Sequence, residues 1–207
     1  MKQITIVDYG SGNVLSAQKS FIKIAKDNNI NSIVLISNNL DDIKKSSHLV
    51  LPGQGAFETC MNGVRNKPGL IEELNNFAII DKKPFLGICV GMQMLASQSE
   101  ENGIHKGLGW IPGNIKRLPA NNLKMPHMGW NSVHPAKENN LLKNSNDYYF
   151  VHSYYFDCKN KENILAETNY GVDFPSIVNK ENIYGLQFHP EKSSDQGLDI
   201  IKNFIKL

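Results

Sequence analysis

The sequence predicts an α/β protein with a doubly wound, mostly parallel sheet to which antiparallel strands are added. In the first half, short β-branched runs alternate with apolar residues at helical spacing, and several strands run into glycine-rich turns. In the second half, strand patterns follow one another with few helices between them. A chain of 207 residues, 41% of them hydrophobic, is long enough to bury one large core. We therefore expect a single domain over residues 1–207.

The first half reads as alternating strands and helices. Its expected elements are a strand at 4–7, a helix at 14–26, a strand at 32–36, a short helix at 40–45, a strand at 48–51, a helix at 69–80 and a strand after Pro84 that ends near Cys89. Such alternation is typical of a parallel sheet with helices on both faces.

The second half reads mainly as strands. They are expected at 111–118, 148–157, 163–168, 176–179 and 183–188, followed by a helix at 195–205. Because few helices separate them, these strands add to the sheet edge in antiparallel fashion or form a small second layer. The Asn- and Lys-rich stretch 137–146 is expected to be a surface loop.

Composition and charge exclude several classes of partner. The 22 basic and 20 acidic side chains give a formal charge of +2, which predicts no recruitment of nucleic acid or anionic membrane. No run of about 18 apolar residues predicts a membrane span, and the start does not resemble a signal peptide. Three widely spaced cysteines without a Cys-x-x-Cys pair argue against disulfides or structural zinc. We expect a cytoplasmic protein that uses no metal and no cofactor.

The stretch around Cys89 is typical of a nucleophile on a sharp strand-to-helix turn. Gly87 and Gly91 flank the cysteine, and residues without a side chain let the backbone pass closely at such a turn. The N–H of Val90 would then lie at the helix start, where it favours a thiolate and a developing oxyanion. The alternative is a buried structural cysteine in a βα turn.

His189 and Glu191 supply the other half of a nucleophilic triad. The histidine follows a predicted strand, and a carboxylate two residues later lies on roughly the same side. Glu191 could accept a hydrogen bond from one imidazole nitrogen and leave the other to face a thiol. Alone, the His-Pro-Glu tripeptide is more typical of a surface turn; together with Cys89 it predicts a Cys-His-Glu triad.

Two further glycine-rich turns follow strands. Gly53-Gln54-Gly55 could turn a second backbone N–H into the same pocket as an oxyanion donor, because glycine-flanked peptides leave room there. The Gly10-x-Gly12 pair resembles half of a dinucleotide fingerprint but lacks the third glycine. It is interpreted as a tight turn.

The motifs resemble those of the class I, or triad, glutamine amidotransferases. Pro-Gly-x-Gly-x-Phe at 52–57, Gly-Ile-Cys-x-Gly-Met-Gln at 87–93 and Gln-Phe-His-Pro-Glu-Lys-Ser at 187–193 match that family in order and spacing. Further segments at 8–13, 107–110, 126–131 and 149–154 are similar to the glutaminase subunits that serve a separate cyclase in histidine biosynthesis. The resemblance covers nearly the whole chain and implies a flavodoxin-like sheet.

This resemblance implies a reaction and a substrate site. Cys89 would attack the side-chain amide of glutamine to form a γ-glutamyl thioester with loss of ammonia, His189 would pass protons, and Glu191 would orient the imidazole. The implied glutamine-binding residues are Gly55, Gln93, Glu101, Ser153 and Tyr154. Only Gln93 has independent support, since it falls one helical turn after Cys89.

The resemblance also implies a partner. Ammonia released into water is protonated and no longer nucleophilic, so a (β/α)₈-barrel cyclase would cover the site in a heterodimer and receive ammonia directly. The residues implied to face it are Asn13, Trp130, Tyr149 and Lys192. Trp130 could instead be core and Lys192 solvated. Gln54 stands where a small apolar residue is more usual in the family, which bears on the second oxyanion donor.

Two other functions fit the same motifs. Similar subunits supply ammonia to synthetases that amidate a sugar for surface glycan, and the glutaminase motifs do not separate that role from histidine biosynthesis. A stand-alone cysteine hydrolase would carry the same triad, although the partner-like segment 126–131 argues against it. A co-purifying synthase would distinguish the first, and partner-independent peptide hydrolysis the second.

Overall fold

The computed structural model describes residues 1–119 and 122–207. Over these residues the chain forms thirteen strands in two sheets and six α-helices. The strands are β1 Lys2–Val7, β2 Ser32–Ser37, β3 His48–Gly53, β4 Phe85–Cys89, β5 Gln98–Ser99, β6 His105–Lys106, β7 Gly113–Arg117, β8 His127–Pro135, β9 Asn146–His152, β10 Tyr154–Cys158, β11 Ile164–Asn169, β12 Asp173–Lys180 and β13 Ile183–Leu186. The helices are α1 Val14–Asp27, α2 Leu40–Lys45, α3 Phe57–Arg65, α4 Leu70–Asn75, α5 Val90–Gln93 and α6 Ser194–Ile205.

The large sheet has nine strands in the order β2-β1-β3-β4-β13-β12-β11-β8-β9. The pairs from β2 to β13 are parallel, and the pairs from β13 to β9 are antiparallel. The predicted fold class is therefore confirmed, with the antiparallel strands added at one edge. A second sheet of four short strands, in the order β10-β7-β5-β6, forms the expected small extra layer.

Helices cover both faces of the parallel strands. Helices α1 and α6 pack together, whereas α2, α3 and α4 pack against one another, as crossovers in opposite directions from β1 require. A π-helical turn over Asn76–Ile80 extends α4. Phe21 and Phe204 meet edge to face in the core, with ring centroids 6.3 Å apart. None of the helices over 1–119 and 122–207 is long and apolar enough to cross a membrane.

Several expectations for the elements were wrong or incomplete. The single strand expected over 148–157 is broken at Ser153, where the chain leaves β9 in the large sheet and enters β10 beside β7. Tyr148, Phe150 and His152 before the break and Phe156 after it are buried and share one phase of the alternation, with Tyr154 half-buried between them, so periodicity alone could not show the break. Helix α3 and strand β8 were not predicted, because glycines at 63 and 129 interrupt their apolar patterns, and the two-residue strands β5 and β6 were not predicted either.

The turn between β4 and α5 packs tightly against the end of β3. Gly53 lies opposite Cys89 in the parallel register. A Cβ atom on Gly91 would lie 1.8 Å from the Leu51 carbonyl oxygen, and one on Gly53 would lie 2.5 Å from the Gly91 nitrogen. Only residues without a side chain fit these positions, and this places the two turns side by side at the carboxyl ends of their strands.

We expect Gly91→Ala to lower the free energy of unfolding by about 3 kcal/mol, because the new methyl group would overlap backbone that cannot move alone. The matched control is Gly109→Ala: its Cβ meets nothing within 4 Å, but φ is +72°, so we expect a loss of about 1 kcal/mol from backbone strain. Urea unfolding followed by circular dichroism measures both. Equal losses in the two variants would contradict the close approach.

Candidate active site

Cys89 lies at the carboxyl end of β4 in a strained backbone conformation, with φ 56° and ψ −113°. Non-glycine residues with positive φ are uncommon and often serve a site. The side chain is nearly buried, and its Sγ lies 3.9 Å from both the Val151 carbonyl oxygen and the Gln187 Nε2. The backbone therefore presents the thiol at the point where α5 begins.

His189 and Glu191 form the expected pair. His189 Nδ1 lies 2.9 Å from Glu191 Oε1, and both side chains are almost fully buried. The carboxylate reaches back through a 3₁₀ turn over Pro190–Lys192 rather than along an extended strand. Among the described residues, neither His189 Nε2 nor Glu191 Oε2 has a hydrogen-bond partner.

The turn that carries this pair is fixed to strand β9. Ser193 Oγ donates to the His189 carbonyl oxygen at 2.6 Å and accepts from the Tyr149 N–H at 2.9 Å. The His189 N–H in turn donates to the Tyr149 carbonyl oxygen at 2.9 Å. These bonds bring the edge strand of the large sheet against the loop that follows β13, and so fix the position of the imidazole.

The electrostatics of His189 favour its protonated form. Burial alone lowers the pKa of an imidazole, but here the nearby Cys89 sulfur and the hydrogen bond and charge of Glu191 outweigh burial and raise the pKa of His189 to about 10. These interactions favour a protonated imidazole beside the Cys89 side chain. A protonated imidazole in this position can give its proton to a bound group.

A cavity of about 360 Å³ opens in front of Cys89. It is lined by ten of the residues singled out from the sequence, namely Gln54, Gly55, Cys89, Val90, Gln93, Glu101, Ser153, Tyr154, His189 and Lys192. Gly53 does not line the cavity and instead packs against the turn between β4 and α5. Glu191 lines a much smaller void that also borders His189. The volume of the cavity in front of Cys89 is in the range of small-molecule sites.

Two side chains of the cavity wall, Gln93 and Glu101, already form hydrogen bonds within the protein. Both Nε2 protons of Gln93 are used, one by the Tyr154 carbonyl oxygen at 3.0 Å and one by Gln187 Oε1 at 3.1 Å, which leaves Gln93 Oε1 as an acceptor. Glu101 Oε2 accepts from the Phe57 N–H at 2.8 Å, at the start of α3. Glu101 therefore also serves the fold.

The loop between β3 and α3 is held from behind. The Gln54 carbonyl oxygen accepts from Ser11 Oγ at 2.8 Å and from Cys60 Sγ at 3.4 Å. A Cβ on Gly12 would lie 2.9 Å from the Pro52 carbonyl oxygen, which agrees with a tight turn at 10–13. The peptide that follows Gln54 thus has a fixed orientation beside the cavity.

Three of the four candidate partner residues form one patch beside the cavity, which we call the Trp130 patch. Trp130 is 54% exposed and meets the Tyr149 ring edge to face at 6.3 Å, and Lys192 Nζ lies 6.0 Å from that ring. The exposure excludes Trp130 from the core. Asn13 caps α1, with its Oδ1 accepting from the Ser16 N–H at 3.3 Å, and it lines the small void that also borders His189 and Glu191.

Several residues of the cavity escaped the sequence analysis. Pro126, Met128, Val151 and His152 line it, and Gln187 donates towards the Cys89 sulfur. All five lie within motifs quoted for the family resemblance, but spacing in sequence does not show which side chains turn inward. Across 1–119 and 122–207, no group of three His, Cys, Asp or Glu side chains could hold a metal ion, and the three cysteines are free thiols.

The family described as "Glutamine amidotransferase class-I" matches residues 5–207. The chain belongs to this family. A protein of Pelagibacter ubique named "Imidazole glycerol phosphate synthase subunit HisH" is 46% identical to it over 209 residues, which cover 99% of each chain. A Methanococcus maripaludis protein named "Imidazole glycerol phosphate synthase subunit HisH 2" is 45% identical and covers 98% of each chain.

Solved structures of glutamine amidotransferases share the fold. One superimposes with a TM-score of 0.72 at 18% identity and covers 98% of this chain and 97% of its own. A second, from Thermotoga maritima, gives a TM-score of 0.60 at 18% identity over 99% of this chain and 83% of its own. At this identity the likeness supports the fold alone.

In this amidotransferase we expect His189 to titrate well above an ordinary histidine. Cys89→Ala removes the thiol that helps to raise the pKa of His189, so the pKa should fall towards 6.5. Titration of the imidazole nitrogens by NMR measures the pKa of His189 in the wild type and in Cys89→Ala. His152 is the internal control, because burial lowers its pKa to about 3 and it should stay neutral over the same range. An unchanged His189 titration in Cys89→Ala would contradict the pairing.

Proposed function

We propose that the chain is the glutaminase subunit of an imidazole glycerol phosphate synthase and hydrolyses glutamine to glutamate and ammonia. The observation that carries this is that Cys89 and His189 line one cavity while Glu191 bonds to the His189 imidazole, in a chain closely similar to proteins named for that synthase. The three free cysteines suit the reducing cytoplasm, where we place the reaction.

The triad acts in two halves. The Cys89 sulfur attacks the side-chain amide carbon of glutamine, and as the carbon–nitrogen bond breaks His189 gives its proton to the departing nitrogen, so that ammonia leaves and a γ-glutamyl thioester remains. Water then attacks the thioester carbon, His189 takes a proton from that water, and the carbon–sulfur bond breaks to release glutamate. Glu191 holds the imidazole through Nδ1 and stabilises its charged form.

The tetrahedral intermediates need hydrogen-bond donors. The Val90 N–H at the start of α5 and a backbone N–H of the Gly53–Gln54 loop are our candidates, since both loops lie at the ends of neighbouring strands. Removing one such donor from an acyl-transfer enzyme costs about a hundredfold or more in rate. The bonds to the Gln54 carbonyl oxygen bear on how that loop presents its N–H groups.

We assign glutamine binding to the rest of the cavity wall. Gln93 Oε1 is the acceptor left over after its Nε2 has bonded, and it suits a donor group of the substrate. Gly55 and the Ser153–Tyr154 segment border the same space, and Glu101 supplies a carboxylate that can pair with an ammonium group. Lys192 at the cavity edge adds a positive charge.

We propose that a (β/α)₈-barrel cyclase docks over the cavity as the partner in a heterodimer. Ammonia must reach the second active site unprotonated, so an enclosed path between subunits is required. The cyclase would use it to form imidazole glycerol phosphate and AICAR. The Trp130 patch provides exposed aromatic surface beside the cavity, the type of residue enriched at interfaces, and we add Asn13 to this surface.

Cys89→Ala tests the division of labour. In the complex with the cyclase, we expect it to lose glutamine-dependent synthase activity by at least about a thousandfold, because the nucleophile is gone. Synthase activity with added ammonium salt should stay within about twofold of wild type, since the cyclase receives ammonia without the thiol. Product formation measured with either nitrogen source gives both rates.

Cys158→Ala is the matched control, because that thiol lies outside the cavity and should leave both rates unchanged. Loss of both activities in a Cys89→Ala complex of normal composition would contradict the proposal. Hydrolysis of peptides by the isolated chain would favour a stand-alone hydrolase. Co-purification with a synthetase that amidates a sugar would show that the chain supplies ammonia to that enzyme instead of the cyclase.

A further inference from the structure

Two buried histidines next to the cavity take no part in the triad. His127, at the start of β8, places Nδ1 2.9 Å from Nε2 of His152, at the end of β9. His152 Nδ1 lies 2.8 Å from the Tyr154 carbonyl oxygen, and Asn131 Nδ2 lies 3.1 Å from His127 Nε2. Three hydrogen bonds thus run in series from strand β8 to the cavity wall.

The partners fix the direction of every bond in this series. A carbonyl oxygen only accepts, so His152 Nδ1 carries the hydrogen. Burial lowers the pKa of His152 to about 3 and that of His127 to about 4, so both rings are neutral and each has one acceptor nitrogen. His152 Nε2 therefore accepts from His127 Nδ1, and His127 Nε2 accepts from Asn131.

Neighbouring groups prevent the Asn131 amide and the His127 ring, the first two members of this series, from rotating. Asn131 Nδ2 also donates to the Asn169 carbonyl oxygen at 3.0 Å, while its Oδ1 accepts from the Ser132 N–H at 2.8 Å. The His127 ring stacks on Phe150 and Tyr170, with centroids 4.8 and 4.0 Å away. The series begins on a fixed amide and a clamped ring.

The series ends on the segment to which we assign glutamine binding. The Tyr154 carbonyl oxygen accepts from His152 on one side and from Gln93 at 3.0 Å on the other. The chain passes here from the large sheet to the small one, so this carbonyl joins the two sheets to the helix that follows Cys89. Its orientation sets where Ser153 and Tyr154 border the cavity.

We propose that His127 and His152 are positioning residues, which hold the Ser153–Tyr154 wall against Gln93 and so determine affinity for glutamine. This inference rests on the proposed function. In the described residues neither histidine is hydrogen-bonded to Cys89 or His189, so we expect them to act on substrate binding and to leave the chemical step largely unchanged.

His152→Phe, assayed in the complex with the cyclase, tests this role. Phe keeps the ring but removes the donor to Tyr154, and we expect KM for glutamine to rise about tenfold with kcat within about threefold of wild type. His152→Asn places an amide donor near the position of Nδ1 and should recover most of the loss. The control is His134→Phe, which replaces an exposed histidine on β8, the strand that carries His127, and should leave KM unchanged.

An unchanged KM in His152→Phe, or a fall in kcat alone, would overturn the inference, because a purely structural role lowers the amount of active enzyme and leaves KM alone. If the variants do not fold, NMR of wild type decides: both rings must be neutral with the hydrogen on Nδ1, and hydrogen on Nε2 of His152 refutes the series. A wild-type complex without glutaminase activity would instead refute the proposed function.

Discussion

The site depends on the close approach of the turn after β4 to the end of β3. Backbone atoms of Leu51 occupy the space where a side chain on Gly91 would lie. Backbone atoms of Val90 and Gly91 likewise occupy the space where a side chain on Gly53 would lie. Because the two strands are neighbours in parallel register, with Gly53 opposite Cys89, this contact brings the thiol and the adjacent glycine loop to one edge of the sheet. The positive φ of Cys89 is a consequence of the same sharp turn.

The position of His189 depends on the antiparallel half of the sheet. His189 follows β13, the parallel neighbour of β4, but its turn is fixed to the edge strand β9, where the Tyr149 N–H donates to Ser193 Oγ and the Tyr149 carbonyl oxygen accepts from the His189 N–H. The added strands are therefore part of the site: they fix the imidazole, supply the Ser153–Tyr154 wall and carry the exposed Trp130. A parallel sheet alone would present Cys89 without a fixed partner.

Much of this could be predicted from the sequence because the signals are local. Glycines around Cys89, a carboxylate two residues after His189 and alternating strand and helix patterns each depend on neighbouring residues. The failures depend on distant ones. The passage from β9 to β10 keeps the alternation of buried residues, so the break at Ser153 left no trace, and the bonds of Gln187 to Gln93 and Cys89 join segments about a hundred residues apart. The two buried histidines resembled ordinary strand residues until their partners were placed.

In the proposed reaction Cys89 alone forms the covalent intermediate. Mass spectrometry of the complex after brief incubation with glutamine and an acid quench, followed by peptide mapping, tests this. We expect a γ-glutamyl adduct on the peptide that contains Cys89 and none on those containing Cys60 or Cys158. Glutamate formation with the adduct on another cysteine, or with no adduct on Cys89 under conditions that trap thioesters, would contradict it.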